Sequence, residues 1–145
     1  MQTLIPMILV GLLSGVAVGL QSPLASMITQ RLGMLESIFI VHIGGAIVIF
    51  IPLLFLKGGN LGNWRSLPWY ALAAGTMGLI VVGGVSFLIP RIGVATSITL
   101  IIAGQLVLSA VLDHYGFLGV HIRPMDLQRI LGLAVVFLGA LLTVR

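Results

Sequence analysis

The stretch AGQLVLSAVLDHYG, residues 103–116, sets Gln105 in the middle of an apolar run and closes that run with Asp113-His114. Counting by four along a helix through Gln105 gives Ser97, Ile101, Gln105 and Ser109, one stripe with three polar members. Amides and hydroxyls have two uses in an apolar setting. They bond neighbouring helices together, at about 1 kcal/mol per pair, or they line a cavity and orient a polar solute. Ser14 and Gln21 form a second such pair, seven residues apart on one face of an earlier run. His42 lies inside a third run beside Gly44 and Gly45, and its imidazole titrates near neutral pH. It reads either as a neutral ring bonded to a neighbouring helix or as a functional group.

Glu36 stands in the first turn of the same run as His42, where the helix dipole favours a carboxylate. It is an interfacial terminus residue or a coupling group. Asp113 has the opposite problem, because a carboxylate at a helix C-terminus is disfavoured. Arg123, Arg129 and His114 are close enough in sequence to offset it. The result is a structural tether or a gate whose pairing changes between two states. The Asp113-His114 pair comes with no serine-nucleophile signature and no metal-ligand spacing, so no enzyme, metal or cofactor is expected. No acid lies at the centre of any run, so a neutral or anionic solute suits these residues better than a cation.

These groups sit in a chain of 145 residues that is 59% hydrophobic and 7% charged, against about 25% charged for a soluble domain. Such a surface belongs in lipid. Seven Lys and Arg against three acids give a net charge of +4, but they are scattered, and no basic patch for nucleic acid results. Without cysteine there are no disulfides, thiolate metal sites or cysteine nucleophiles. About 20 apolar residues cross a bilayer core, and taking charges as boundaries gives five spans in one domain. They are residues 4–24, which runs on in more polar form towards Gln30, then 37–56, 68–88, 94–112 and 127–144. The fold class is therefore an all-α polytopic membrane protein with five transmembrane helices and its termini on opposite sides. The opening MQTLIPMILV lacks a basic n-region and leads into too long a run for a signal peptide, so it is read as part of a retained helix. Pro68 with Trp69 and Tyr70 marks an interfacial helix start, and Asp126 is placed to cap the fifth helix. Gly11, Gly15 and Gly19 make a small-xxx-small ladder for close helix approach, and Gly132 and Gly139 are the small contacts of the last helix.

Five spans place Lys57, Arg65, Arg123 and Arg129 on the side of the N-terminus and Arg31, Arg91 and Arg145 on the other. The positive-inside rule orients a protein by this asymmetry, and here it amounts to one charge. Many transporters consist of two inverted halves with the site at the midplane. No internal sequence repeat is evident, so this chain would obtain an inverted partner only from an upside-down copy of itself or a separate inverted homologue, giving ten helices.

Pro68-Trp69-Tyr70, Ile89-Pro90-Arg91-Ile92-Gly93, Ala103-Gly104-Gln105, Leu112-Asp113-His114-Tyr115-Gly116, Arg123-Pro124 and Arg129 before Leu131-Gly132 follow in order. With Gln21 and Gln30-Arg31-Leu32-Gly33 they resemble the YdcZ-like family, the five-helix branch of the drug/metabolite transporter superfamily. Ala25 and Ser26 stand where that family's pattern would have an Asn soon after the first-helix glutamine. The resemblance implies a bacterial inner-membrane protein that works as a dual-topology homodimer, as one of an oppositely oriented pair, or as half of a fused form. It also implies transport of metabolites or lipophilic compounds by exchange or ion coupling. The expected function is an antiparallel homodimeric carrier with a polar chamber between the halves. A dual-topology channel and a non-transporting assembly subunit are the alternatives, and the lipid bilayer and a small-molecule solute are its other partners.

Overall fold

The computed structural model describes residues 4–57 and 59–143, which are helical with short connections and contain no strand. Met1 to Thr3 of the expected retained helix, Val144 of the fifth expected span and Arg145 of the charge count lie outside the described residues. The elements are α1 (Leu4–Leu32), α2 (Met34–Phe55), a 3-10 turn (Leu61–Ser66), α3 (Trp69–Leu72), α4 (Ala74–Ile92), α5 (Val94–Tyr115), a 3-10 turn (Phe117–Gly119) and α6 (Leu127–Thr143). Among the described residues, four segments are long and apolar enough to cross a bilayer: α1, α2, the joined Trp69–Ile92 and α5. With 17 residues, α6 is the shorter fifth apolar helix, at the lower end of the roughly 17–25 residues that span.

The chain divides into two compact units after Phe87. In the first, α1 and α2 pack as a hairpin, with buried Ser37 donating from its Oγ to the Ala25 carbonyl at 2.8 Å. In the second, α5 packs on α6, and Thr96 Oγ1 donates to the Thr143 carbonyl at 2.8 Å. Large apolar side chains such as Leu12, Leu13, Phe50 and Leu138 are exposed. For helices of this length and composition, that exposed surface is the one hydrocarbon covers.

The helices end where glycine permits, not where charge begins. Residues 31–36 and 89–93 were expected as connections, yet α1 runs to Leu32, α2 starts at Met34, α4 runs to Ile92 and α5 starts at Val94. Each break is a single glycine: Gly33 at φ 119°, ψ 164°, and Gly93 at φ 80°, ψ 168°. Only glycine readily adopts that region, so one helix stops there and the next begins a single residue later. Arg31 and Arg91 stay inside the last turns, where the dipole favours a cation. Asp113 and His114 likewise belong to the last turns of α5, which continues to Tyr115 and is closed by Gly116 in the left-handed conformation.

The two turns correspond position by position, which modifies the expectation of no internal repeat. Arg31-Leu32-Gly33 with Ser37-Ile38 recurs sixty residues on as Arg91-Ile92-Gly93 with Ser97-Ile98. At each turn the glycine N–H donates to the carbonyl four residues back at 3.0 Å, and the serine N–H donates to the glycine carbonyl at 3.2 and 3.3 Å. The following helices, α2 and α5, each have 22 residues and start and stop at corresponding positions. Four pairs of buried residues also correspond, Ser22 with Val82, Ala25 with Val85, Ser26 with Ser86 and Ser37 with Ser97, whereas buried Ala103 matches exposed Ile43. Ser26 Oγ accepts from Gln30 Nε2 at 3.3 Å, whereas Ser86 Oγ is buried without a partner. The residue matching Gln30 is Pro90, which has no side-chain donor.

Candidate functional site

In the first unit, Gln21 lies in an open groove of about 550 Å³ between α1 and α2, with Gly44 and Gly45 among the residues that line it. The missing side chains on α2 are what open this space beside the amide. Ser14 is not part of it; its Oγ donates to the Val10 carbonyl of its own helix at 2.9 Å. His42 is half-buried, and its Nδ1 is 2.8 Å from the Ile38 carbonyl. A carbonyl only accepts, so Nδ1 carries a proton and donates it. The expected bond to a neighbouring helix is thus a bond within α2. The far edge of the ring instead approaches α4, where a Cβ on Gly78 would lie 2.7 Å from Nε2. Glu36 is exposed and folds its carboxylate back over Gly33.

In the second unit the stripe on α5 passes from buried to exposed. Ser97 is completely buried and donates to the Gly93 carbonyl at 2.6 Å. Gln105 and Ser109 are exposed. Ser109, Asp113 and Arg129 share a groove of about 320 Å³ between α5 and α6. Arg129 Nη2 meets Asp113 Oδ2 at 2.8 Å, each side chain about one-third exposed at 33% and 32%. Arg129 Nη1 donates to the Arg123 carbonyl, and the Arg123 N–H donates to the Asp113 carbonyl, both at 2.8 Å. His114 Nδ1 accepts from the Met125 N–H at 3.1 Å, so its proton sits on Nε2. Asp126 Oδ1 accepts from the Arg129 N–H at 2.8 Å and caps α6 as expected.

Of the three candidates for offsetting Asp113, Arg129 supplies the side chain. Arg123 contributes backbone, and His114 holds the loop separately. The network ties the 116–126 connection to the end of α5 in the manner of a tether. Arg129→Ala is expected to destabilise the protein by about 1 kcal/mol, because partial exposure discounts the charge pair while the bond to the Arg123 carbonyl is lost as well. Thermal denaturation in detergent measures it, and Arg129→Lys should recover only part, since lysine cannot hold both acceptors in a fork.

The glycines expected to pack do not do so within the described residues: a Cβ at Gly11, Gly15, Gly19, Gly132 or Gly139 meets nothing within 4 Å. The buried serines Ser26, Ser37 and Ser86 were not among the candidates. Their signal was present in the sequence as small polar residues spaced around a glycine flanked by Arg-Leu or Arg-Ile.

Long apolar helices broken at single glycines, with isolated amides on faces free of partners, define a class: a multi-pass helical membrane protein. Over residues 6–142 the chain matches the family described as "Putative inner membrane exporter, YdcZ", and it belongs to that family. It is 27% identical over 135 residues to Inner membrane protein YdcZ of Escherichia coli (strain K12), a match covering 91% of this chain and 90% of that protein. No solved structure matches it. The resemblance read from the motifs is thus correct. The chain is a multi-pass protein of the bacterial inner membrane, from a family of membrane transporters.

Proposed function

We propose that the protein is a drug/metabolite-type carrier that works as an antiparallel, dual-topology homodimer, with a polar chamber between two inverted copies. The observation that carries this reading is the charge balance. Four Lys and Arg fall on one side of a five-span chain and three on the other, too even a distribution to impose one orientation. An odd number of spans lets an inverted copy complete the two-fold arrangement of many transporters. The open glycine ladder on α1 fits the reading, because it leaves room for a helix from a second molecule.

Gln21, Gln105, Ser109 and His42 are the side chains offered to the solute, with Ser14 and Ser97 supporting the same faces. Asp113, His114 and Glu36 stand at helix ends and Arg123 in the connection between α5 and α6, where a gate would act. A neutral or anionic solute matches amides, hydroxyls and helix termini. Transport rather than catalysis follows from the family and from these groups, none of which forms an activated nucleophile. A coordinating ring of charges, the mark of many channels, does not arise from them.

Topology is the test. One cysteine added after Arg145 provides a unique thiol, since the chain has none. A membrane-impermeant thiol reagent applied to intact cells, and again after lysis, is expected to reach about half of the molecules before lysis. Uniform labelling, all or none, would end the self-inverted dimer and require a separate, oppositely oriented homologue.

A further inference from the structure

We infer that the groove between α5 and α6 is a lipid site: it seats one acyl chain of a zwitterionic phospholipid, with the ammonium of the head group at Asp113 and its phosphate at Arg129. The inference goes beyond the carrier reading and does not depend on it. Two open grooves run along this helix pair, and they are continuous, because Leu106, Leu133 and Val136 line both. The end beside the 116–126 connection, about 320 Å³, holds Ser109, Asp113 and Arg129. The stretch beyond it, about 420 Å³, is lined by apolar side chains alone, Ala103 of α5 and Phe137 of α6 among them. Asp113 and Ala103 are ten residues apart, about 15 Å along a helix. That is half of a hydrocarbon core about 30 Å thick, the depth of one leaflet. With charge at its outer end and apolar walls to the midplane, the groove has the polarity profile of a lipid lying in its own leaflet.

The charges at the outer end choose the head group. Asp113 gives Oδ2 to Arg129 at 2.8 Å, and its Oδ1 bonds to no other described residue. Arg129 donates once to that carboxylate and once to the Arg123 carbonyl, so most of the guanidinium's five N–H groups stay available. Both side chains are about one-third exposed, which leaves the unused donors and acceptor within reach of a head group. A carboxylate beside a guanidinium favours a group that carries both signs. An anionic head gains Arg129 but meets the charge of Asp113. A choline head has no N–H to give to Oδ1. A primary ammonium joined to a phosphate diester satisfies both partners, since its N–H groups donate to Oδ1 while phosphate oxygens accept from the arginine fork. Ser109, one turn further in, supplies a donor at the depth of the ester carbonyls. A lipid so bound adds to the Asp113–Arg129 pair without displacing it, so it reinforces the tie between α5 and the 116–126 connection.

Competition among lipids, read by native mass spectrometry, tests the site. The full chain in detergent is offered equal amounts of phosphatidylethanolamine, phosphatidylcholine and phosphatidylglycerol with identical acyl chains. As the first lipid bound, phosphatidylethanolamine is expected to exceed each of the others by about 2- to 12-fold, the range for one hydrogen bond. Asp113→Ala should bring the ethanolamine and choline lipids to parity. Ala134→Trp, which fills the apolar stretch that Ala134 lines, should remove the preference while leaving the Asp113–Arg129 pair in place. Equal binding of the three lipids by the unaltered chain would overturn the site. So would disulfide cross-linking of Val107→Cys between molecules in the membrane, which would show a second copy covering the groove. A preference for phosphatidylglycerol would overturn the zwitterionic assignment, because that head needs only the guanidinium. A preference for phosphatidylethanolamine that survives both variants would place the lipid elsewhere and overturn the site as well. Should Asp113→Ala not accumulate as folded protein, Ala134→Trp decides alone, since Ala134 is exposed.

Discussion

Gln105→Leu is expected to cut solute exchange in proteoliposomes by about 2- to 150-fold, the range for one or two lost hydrogen bonds at about 0.5–1.5 kcal/mol each. The fold should not notice. Gln105 is exposed, and it bonds to no other described residue, so leucine removes no contact and suits a lipid-facing helix better. The dimer should persist for the same reason, which cross-linking in the membrane checks. This combination separates the two roles open to an intramembrane amide. An amide that glues helices would lose association and flux together, whereas an amide that meets solute loses flux alone. Gln105→Asn, which keeps the group on a shorter arm, should retain part of the exchange. Flux at the normal rate in the leucine variant would remove Gln105 from the site.

Much of this architecture was legible in the sequence, because a bilayer imposes one length on every spanning helix and charged residues interrupt it. All five apolar helices follow from that rule. Their ends do not, and Arg31 and Arg91 show why: a cation in the last turn is favoured by the dipole, so the charge marks the interface and not the end of the helix. The true ends lie at Gly33 and Gly93, whose backbone conformation sequence hydropathy does not register. The correspondence between the two glycine turns escaped for a related reason. Lipid-facing positions need only be apolar, so identity between the two stretches survives at the few places where geometry is strict, namely the turn glycine, the arginine before it and the buried serines around it. At the end of α5, the need for a cation beside Asp113 was legible from the dipole alone. Which cation answers it depends on how the 116–126 connection folds, with Gly116 in the left-handed conformation, and there Arg129 reaches back sixteen residues to the carboxylate.

The same two glycines carry the largest expected effect on stability. Gly33→Ala and Gly93→Ala should each destabilise the protein by about 1–3 kcal/mol, the cost of holding a residue with a Cβ in a conformation that is almost exclusive to glycine. At Gly93 nothing lies within 4 Å of the added carbon, so the backbone term acts alone. At Gly33 the Glu36 carboxylate occupies that space, and the effect should be slightly larger, with Gly33→Ala/Glu36→Ala returning it to the value at Gly93. Gly44→Ala and Gly104→Ala provide the contrast, since these glycines lie within helices with open space around them. There alanine should be neutral or stabilising by up to about 1 kcal/mol, through the entropy that glycine otherwise loses. Thermal denaturation followed by helicity in detergent reads all of them. Equal losses at the four positions would mean that close packing against a second molecule, and not backbone conformation, is what selects glycine along these helices. Losses confined to positions 33 and 93 would place the strict constraint at the two glycine breaks between helices.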